Sequence, residues 1–184
     1  MTRVESEQIR TLSWTMENPW WRRRLFVLKR GELEIARLSW DNRMFGTLAT
    51  GQIGDKRWTF KRVRRWLLRR KVTVRVAGTD EDVATVEFRW NGAATIRTRE
   101  GDEIGWRCTK RWRREWVCVD QTDTALLTLK ILRHFLRTEF QVQALKYDLL
   151  QSKLPWLLIL SAYTVILAQD EAAALAAAAM IWGG

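Results

Sequence analysis

Apolar and polar residues alternate along most of this chain. The clearest run is Lys71-Val72-Thr73-Val74-Arg75-Val76, and Ala84-Thr85-Val86-Glu87-Phe88-Arg89-Trp90 follows it after the polar turn Gly78-Thr79-Asp80-Glu81-Asp82. A period of two puts alternate side chains on opposite faces of a strand. Asn91-Gly92 then leads into Ala94-Thr95-Ile96-Arg97-Thr98, the strongest short-range signal for a hairpin. Glu100-Gly101-Asp102 turns the chain again into Ile104-Gly105-Trp106-Arg107-Cys108. The same reading predicts strands over 10–14, 25–29, 32–39, 45–50, 57–63, 115–120, 125–132 and 135–144. Aromatic and β-branched residues share one face of each clear strand, and Lys, Arg, Thr and Glu take the other. One face is therefore buried and one is wet, as an antiparallel sheet allows. About twelve strands with short connections make a meander or a closed barrel.

The pattern changes at Leu154. Leu154 to Gln169 carries no charge, Asp170-Glu171 interrupt, and Ala172 to Gly184 is uncharged again. Pro155 stands at the tolerated first turn of a helix. A membrane span needs ~20 apolar residues, and one running from 154 to 182 would hold Asp170 and Glu171 near its middle, at high cost. A helix that is apolar all round is otherwise a buried helix, and a twelve-stranded barrel is too wide for its own side chains to fill. The expectation is a single domain over 10–184, an all-β closed antiparallel barrel enclosing a helix of about 148–182, preceded by a flexible segment 1–9. No transmembrane insertion is expected.

At 184 residues and 47% hydrophobic content, the chain is long and apolar enough for one real core. The amino-terminal ten residues have no apolar stretch of the secretory kind. Cys108 and Cys118 lie in alternating segments and make no disulfide framework, which favours a cytoplasmic location. Chemistry is sparse. There is one histidine, His134, beside a predicted turn, so a zinc site lacks ligands. No glycine-rich phosphate loop or spaced calcium loop occurs. The chain reads as non-enzymatic, with no metal and no cofactor.

Two quantities are unusual: a formal charge of +11 and twelve tryptophans. They coincide. Lys61 to Lys71 reads KRVRRWLLRRK, with Arg62, Arg64, Arg65, Arg69, Arg70 and Lys71 around Trp66, Leu67 and Leu68. Trp20-Trp21-Arg22-Arg23-Arg24 and Lys110-Arg111-Trp112-Arg113-Arg114 repeat the theme. Arginine offers bidentate donors to phosphate. Tryptophan suits a bilayer interface or base stacking. The nine residues Arg62, Arg64–Arg70 and Lys71 are the candidate anion site, with Trp-Leu-Leu as a shallow apolar insertion.

A dozen short strands followed by one apolar carboxy-terminal helix resembles the tubby C-terminal-like superfamily, which includes phospholipid scramblases and LURP-one-related proteins. The local match is Glu139-Phe140-Gln141-Val142, a lead-in to Leu154, then Leu157 to Tyr163 and Asp170. The resemblance implies a helix along the axis of a closed barrel and binding to acidic phospholipid headgroups. It does not imply calcium dependence. The acidic segment that scramblases carry before the helix has no counterpart in Gln141 to Lys153, where Asp148 is the only acid. The expected function is docking on anionic membrane surfaces, peripherally at the inner face. The alternatives are a nucleic-acid-binding protein and an interaction scaffold with no small ligand.

Overall fold

The computed structural model describes residues 11–17, 24–40, 48–64, 70–89, 92–110, 115–134, 137–144 and 155–182. Twelve strands come first: β1 Thr11–Met16, β2 Leu25–Arg30, β3 Leu33–Trp40, β4 Leu48–Ile53, β5 Lys56–Arg64 and β6 Arg70–Val76. Then follow β7 Asp82–Phe88, β8 Ala94–Thr98, β9 Glu103–Lys110, β10 Glu115–Val119, β11 Ala125–His134 and β12 Arg137–Ala144. One helix, α1 Trp156–Trp182, completes the chain. Each strand pairs antiparallel with its sequence neighbours, and β1 pairs with β12 to close the barrel. Closure leaves no free edge to recruit another chain.

The alternation in the sequence has a direct physical counterpart. In β3 the inward residues Ala36, Leu38 and Trp40 are buried while Glu34 and Arg37 face water. In β8, Ala94, Ile96 and Thr98 point inward around exposed Arg97. At the hairpin between β7 and β8, Gly92 adopts the left-handed φ of 83° and donates its amide to the Arg89 carbonyl at 3.1 Å. Only glycine adopts that conformation without a steric cost.

The strands make a wall, and α1 fills what the wall encloses. Trp156 to Ile166 are all buried, with Leu157, Leu158 and Ile159 wholly inaccessible. Tyr163 stacks on Trp40 and Phe60, with ring centroids 5.8 and 5.4 Å away. The two buried hydroxyls on this stretch need acceptors, since an unpaired one would cost about 1–3 kcal/mol. Each finds one on its own helix: Ser161 Oγ donates to the Leu158 carbonyl at 2.7 Å, and Thr164 Oγ1 to that of Ser161 at 2.9 Å. Helix and wall meet tightly at Gly51. A β-carbon there would lie 2.6 Å from Ile159 Cγ2, so the missing side chain is what lets α1 pass β4.

These contacts also fix the direction of the helix. Ile159 lies level with Gly51, which pairs with Leu38 and Trp58. Tyr163 lies level with Trp40 and Phe60, both closer to where β3 and β5 end. The helix therefore enters beside the β2–β3 and β4–β5 turns and leaves beside the β1–β2 and β5–β6 connections. We call these the turn end and the loop end.

The expected plug of about 148–182 is corrected in its outer half. The helix starts at Trp156, and residues 148–154 lie outside the described residues, as do 1–9. Only its inner half is a plug. Leu167 is half-buried rather than enclosed, Ala168 is exposed, and so is every described side chain from Ala172 to Met180. The reason is length. At 1.5 Å per residue the buried stretch from Trp156 to Ile166 spans about 17 Å, which matches strands of five to ten residues tilted in a barrel. The remainder has no wall to meet.

Three outcomes follow from this packing. Leu160→Asp should yield no soluble folded protein, because an unpaired charge in this core costs several kcal/mol. Soluble expression with a native circular-dichroism spectrum would contradict the plug. Gly51→Ala should destabilise by about 1–3 kcal/mol through overpacking. Combining it with Ile159→Ala, which removes both clashing carbons of that side chain, should cost less than the sum of the two single changes in denaturant titrations, since the two sites share one contact. Finally, burial pushes the Cys118 thiol well above the ordinary cysteine range, so it stays protonated through neutral and mildly alkaline pH. Peptide mass mapping after alkylation at mildly alkaline pH should find Cys118 unmodified in native protein and labelled once the chain is denatured.

Candidate cationic rim and emergent helix

Closure in sequence order decides where every connection goes. Each odd-numbered strand ends at the loop end, so the ends of β1, β5 and β9 lie together there with the starts of β2, β6 and β10. These strand ends carry the three arginine-tryptophan clusters. The six connections at the loop end hold ten arginines against two acids, Glu17 and Asp41, and five of the twelve tryptophans. The five connections at the turn end hold eight acids against Arg99 alone, and no tryptophan. In sequence, the connections at one end of the barrel are thus basic and those at the other acidic.

Several arginines near the turn end are paired. Arg75 binds Asp80 at 2.9 Å and Asp82 at 2.7 Å, and Arg107 binds Asp123 at 2.8 Å. Arg97 joins Glu103 at 2.7 Å, and Arg99 pairs with Glu81. The hydrogen bond from Arg75 to Asp82, and that from Arg97 to Glu103, hold both guanidinium groups above their ordinary range. Such exposed pairs add little stability. They do, however, offset part of the acidic charge at that end. At the loop end the acids are too few to do the same.

Of the nine residues chosen from the sequence, Arg62 is on β5 opposite Val72, in the inward register with Trp58 and Phe60, and is half-exposed. Lys71 is opposite Val63 in the alternate register, on the outer wall. Arg64 and Arg70 are cross-strand partners at the last rung of the β5–β6 ladder. Arg65, Trp66, Leu67, Leu68 and Arg69 lie outside the described residues. The strands therefore bring Arg62, Arg64, Arg70 and Lys71 to one rim but divide them between its inner and outer faces.

Sequence reasoning missed three features. Val63, beside Lys71 on the outer wall, is 38% exposed. Arg24, just before β2, forms a 2.5 Å ion pair with Asp170 at the point where α1 leaves the barrel. Beyond that pair the helix carries Glu171 and then no further charge, while standing free of the barrel, with Met180 76% exposed. The acidic pair in the apolar run was the available signal: two carboxylates belong where a buried helix meets solvent and a cationic mouth.

By length and composition, Trp156–Met180 could cross a membrane, but 59% of its most apolar window is already buried inside the barrel. Among the described residues no group of three or more His, Cys, Asp or Glu is arranged to hold a metal ion. A shallow groove on the outer wall, lined by Ile35, Arg37, Gln52 and Gly54, lies toward the opposite, acidic end. No protein-family model, curated protein or solved structure matches this chain, so what bears on its function is the geometry of the loop end.

Proposed function

We propose that this protein is a non-enzymatic module that docks by its loop end on anionic phospholipid surfaces, peripherally at the inner face of a membrane. One observation carries the reading: arginine, tryptophan and an unpartnered apolar helix segment all belong to the same end of a barrel whose other end is acidic. A basic residue near an anionic leaflet contributes about 1 kcal/mol, and tryptophan is favoured at the boundary between headgroups and chains. The acidic turns would point away from the surface, so the same charge distribution that attracts the module also orients it. The closed barrel with an axial helix supports the likeness to the tubby C-terminal-like superfamily. Within that likeness, Arg62, Arg64–Arg70 and Lys71 form one sector of the binding rim. Nucleic acid would satisfy the cations equally well, but it gives the exposed helix no apolar partner.

Replacing Arg64, Arg65, Arg69 and Arg70 together with Ser should weaken co-sedimentation with phosphatidylserine vesicles by at least about tenfold. Replacing Asp80, Glu81 and Asp82 with Ser should not weaken it. Wild-type protein that ignores acidic vesicles at physiological salt, or that shifts RNA or DNA more tightly than it binds vesicles, would overturn the lipid reading.

A further inference from the structure

We infer that the outer half of α1, from Ala172 onward, is an apolar anchor that enters one leaflet of an anionic bilayer, with Asp170 and Glu171 stopping at headgroup depth. This rests on the docking reading above and adds to it a depth and a defined inserting segment.

Two ordinary roles are ruled out for the segment. It is not core, because the barrel ends near Leu167 and the described side chains beyond Glu171 are exposed. It is not a solvated surface helix either. Such a helix carries a polar face, and Ala172 to Trp182 has neither a charge nor an amide or hydroxyl side chain. A continuous helix satisfies its own backbone hydrogen bonds, the condition for leaving water for hydrocarbon. Its character changes with its surroundings. Inside the barrel it is built of Leu, Ile and Tyr, which reach the wall; outside it is mostly alanine and ends in Met180, Ile181 and Trp182.

Length sets the depth. Ala172 to Trp182 spans roughly 16 Å at 1.5 Å per residue, about half of a ~30 Å hydrocarbon core. A segment of that length reaches into one leaflet. Its last-turn carbonyls lack helical partners, which favours an oblique path that keeps the tip near polar groups. Charge sets the stop. Carboxylates in hydrocarbon are expensive, and Asp170 is held at the barrel mouth by Arg24. Arg24 stands at that exit, and the connections between strands at this end contain ten arginines in sequence, a charge that complements anionic headgroups.

The test labels Met180→Cys with an environment-sensitive NBD fluorophore in a Cys108→Ser background, Cys118 being buried and unreactive. Phosphatidylcholine vesicles with and without phosphatidylserine are then added. With phosphatidylserine the emission should shift to the blue and be quenched by lipids bearing a spin label on the acyl chain. Ala173→Glu and Ala177→Glu, both at exposed positions, should leave the circular-dichroism spectrum and melting unchanged and weaken vesicle binding by at least about tenfold, since a charge resists insertion. If the protein binds acidic vesicles while the label keeps its aqueous emission, the anchor is refuted and docking by the rim alone stands. If no vesicle is bound, both readings fall. A blue shift that grows with protein concentration in the absence of lipid would identify a second copy as the occupant and overturn the anchor.

Discussion

A twelve-stranded closed barrel encloses more space than its own inward side chains can occupy, and every other feature of this molecule follows from how that space is filled. The wall supplies alternating rows such as Ala36-Leu38-Trp40 and Ala94-Ile96-Thr98, and α1 supplies the rest. Because an interior without voids needs contact on all sides, the helix must be apolar around its full circumference for the height of the barrel. That same property makes it resemble a membrane span. The fit is specific at Gly51, where a missing side chain admits Ile159, and at Tyr163, which lies between Trp40 and Phe60.

Filling the barrel with a helix longer than the barrel is high has a consequence at the surface. One end of α1 must emerge, and it emerges at the end that up-and-down topology has loaded with arginine and tryptophan. At the opposite end acids outnumber arginines in the connections, and pairs such as Arg75 with Asp80 and Asp82 offset only part of that charge. The molecule is thereby polar along its axis, cationic and apolar at one end and acidic at the other.

Much of the architecture was legible because β-structure writes itself locally. Val72, Val74 and Val76 against Lys71, Thr73 and Arg75 specify a strand and its buried face with no knowledge of the neighbours. The apolar run from Leu157 specifies a buried helix in the same way. What was not legible required closure. That Trp20–Arg24, Arg65–Arg69 and Arg111–Arg114 belong to one rim follows only once β1 pairs with β12 and every strand pairs with its sequence neighbour. The division of Arg62 and Lys71 between inner and outer faces depends on register. The extent of the plug depended on barrel height and on a start at Trp156, neither of which the sequence states. In hindsight the change from Leu and Ile to alanine, with Asp170-Glu171 at the boundary, marks where the wall ends.

The most direct test of this account is amide hydrogen exchange along α1, read by mass spectrometry on the intact protein without lipid. If the helix is half plug and half projection, amides from Leu157 to Ile166 should exchange only through global unfolding, while those from Ala172 to Trp182 should exchange much faster through local fraying. Uniformly slow exchange along the whole helix would mean that the outer half is also enclosed. Rapid exchange in Leu157–Ile166 would mean that the barrel is not built around the helix at all.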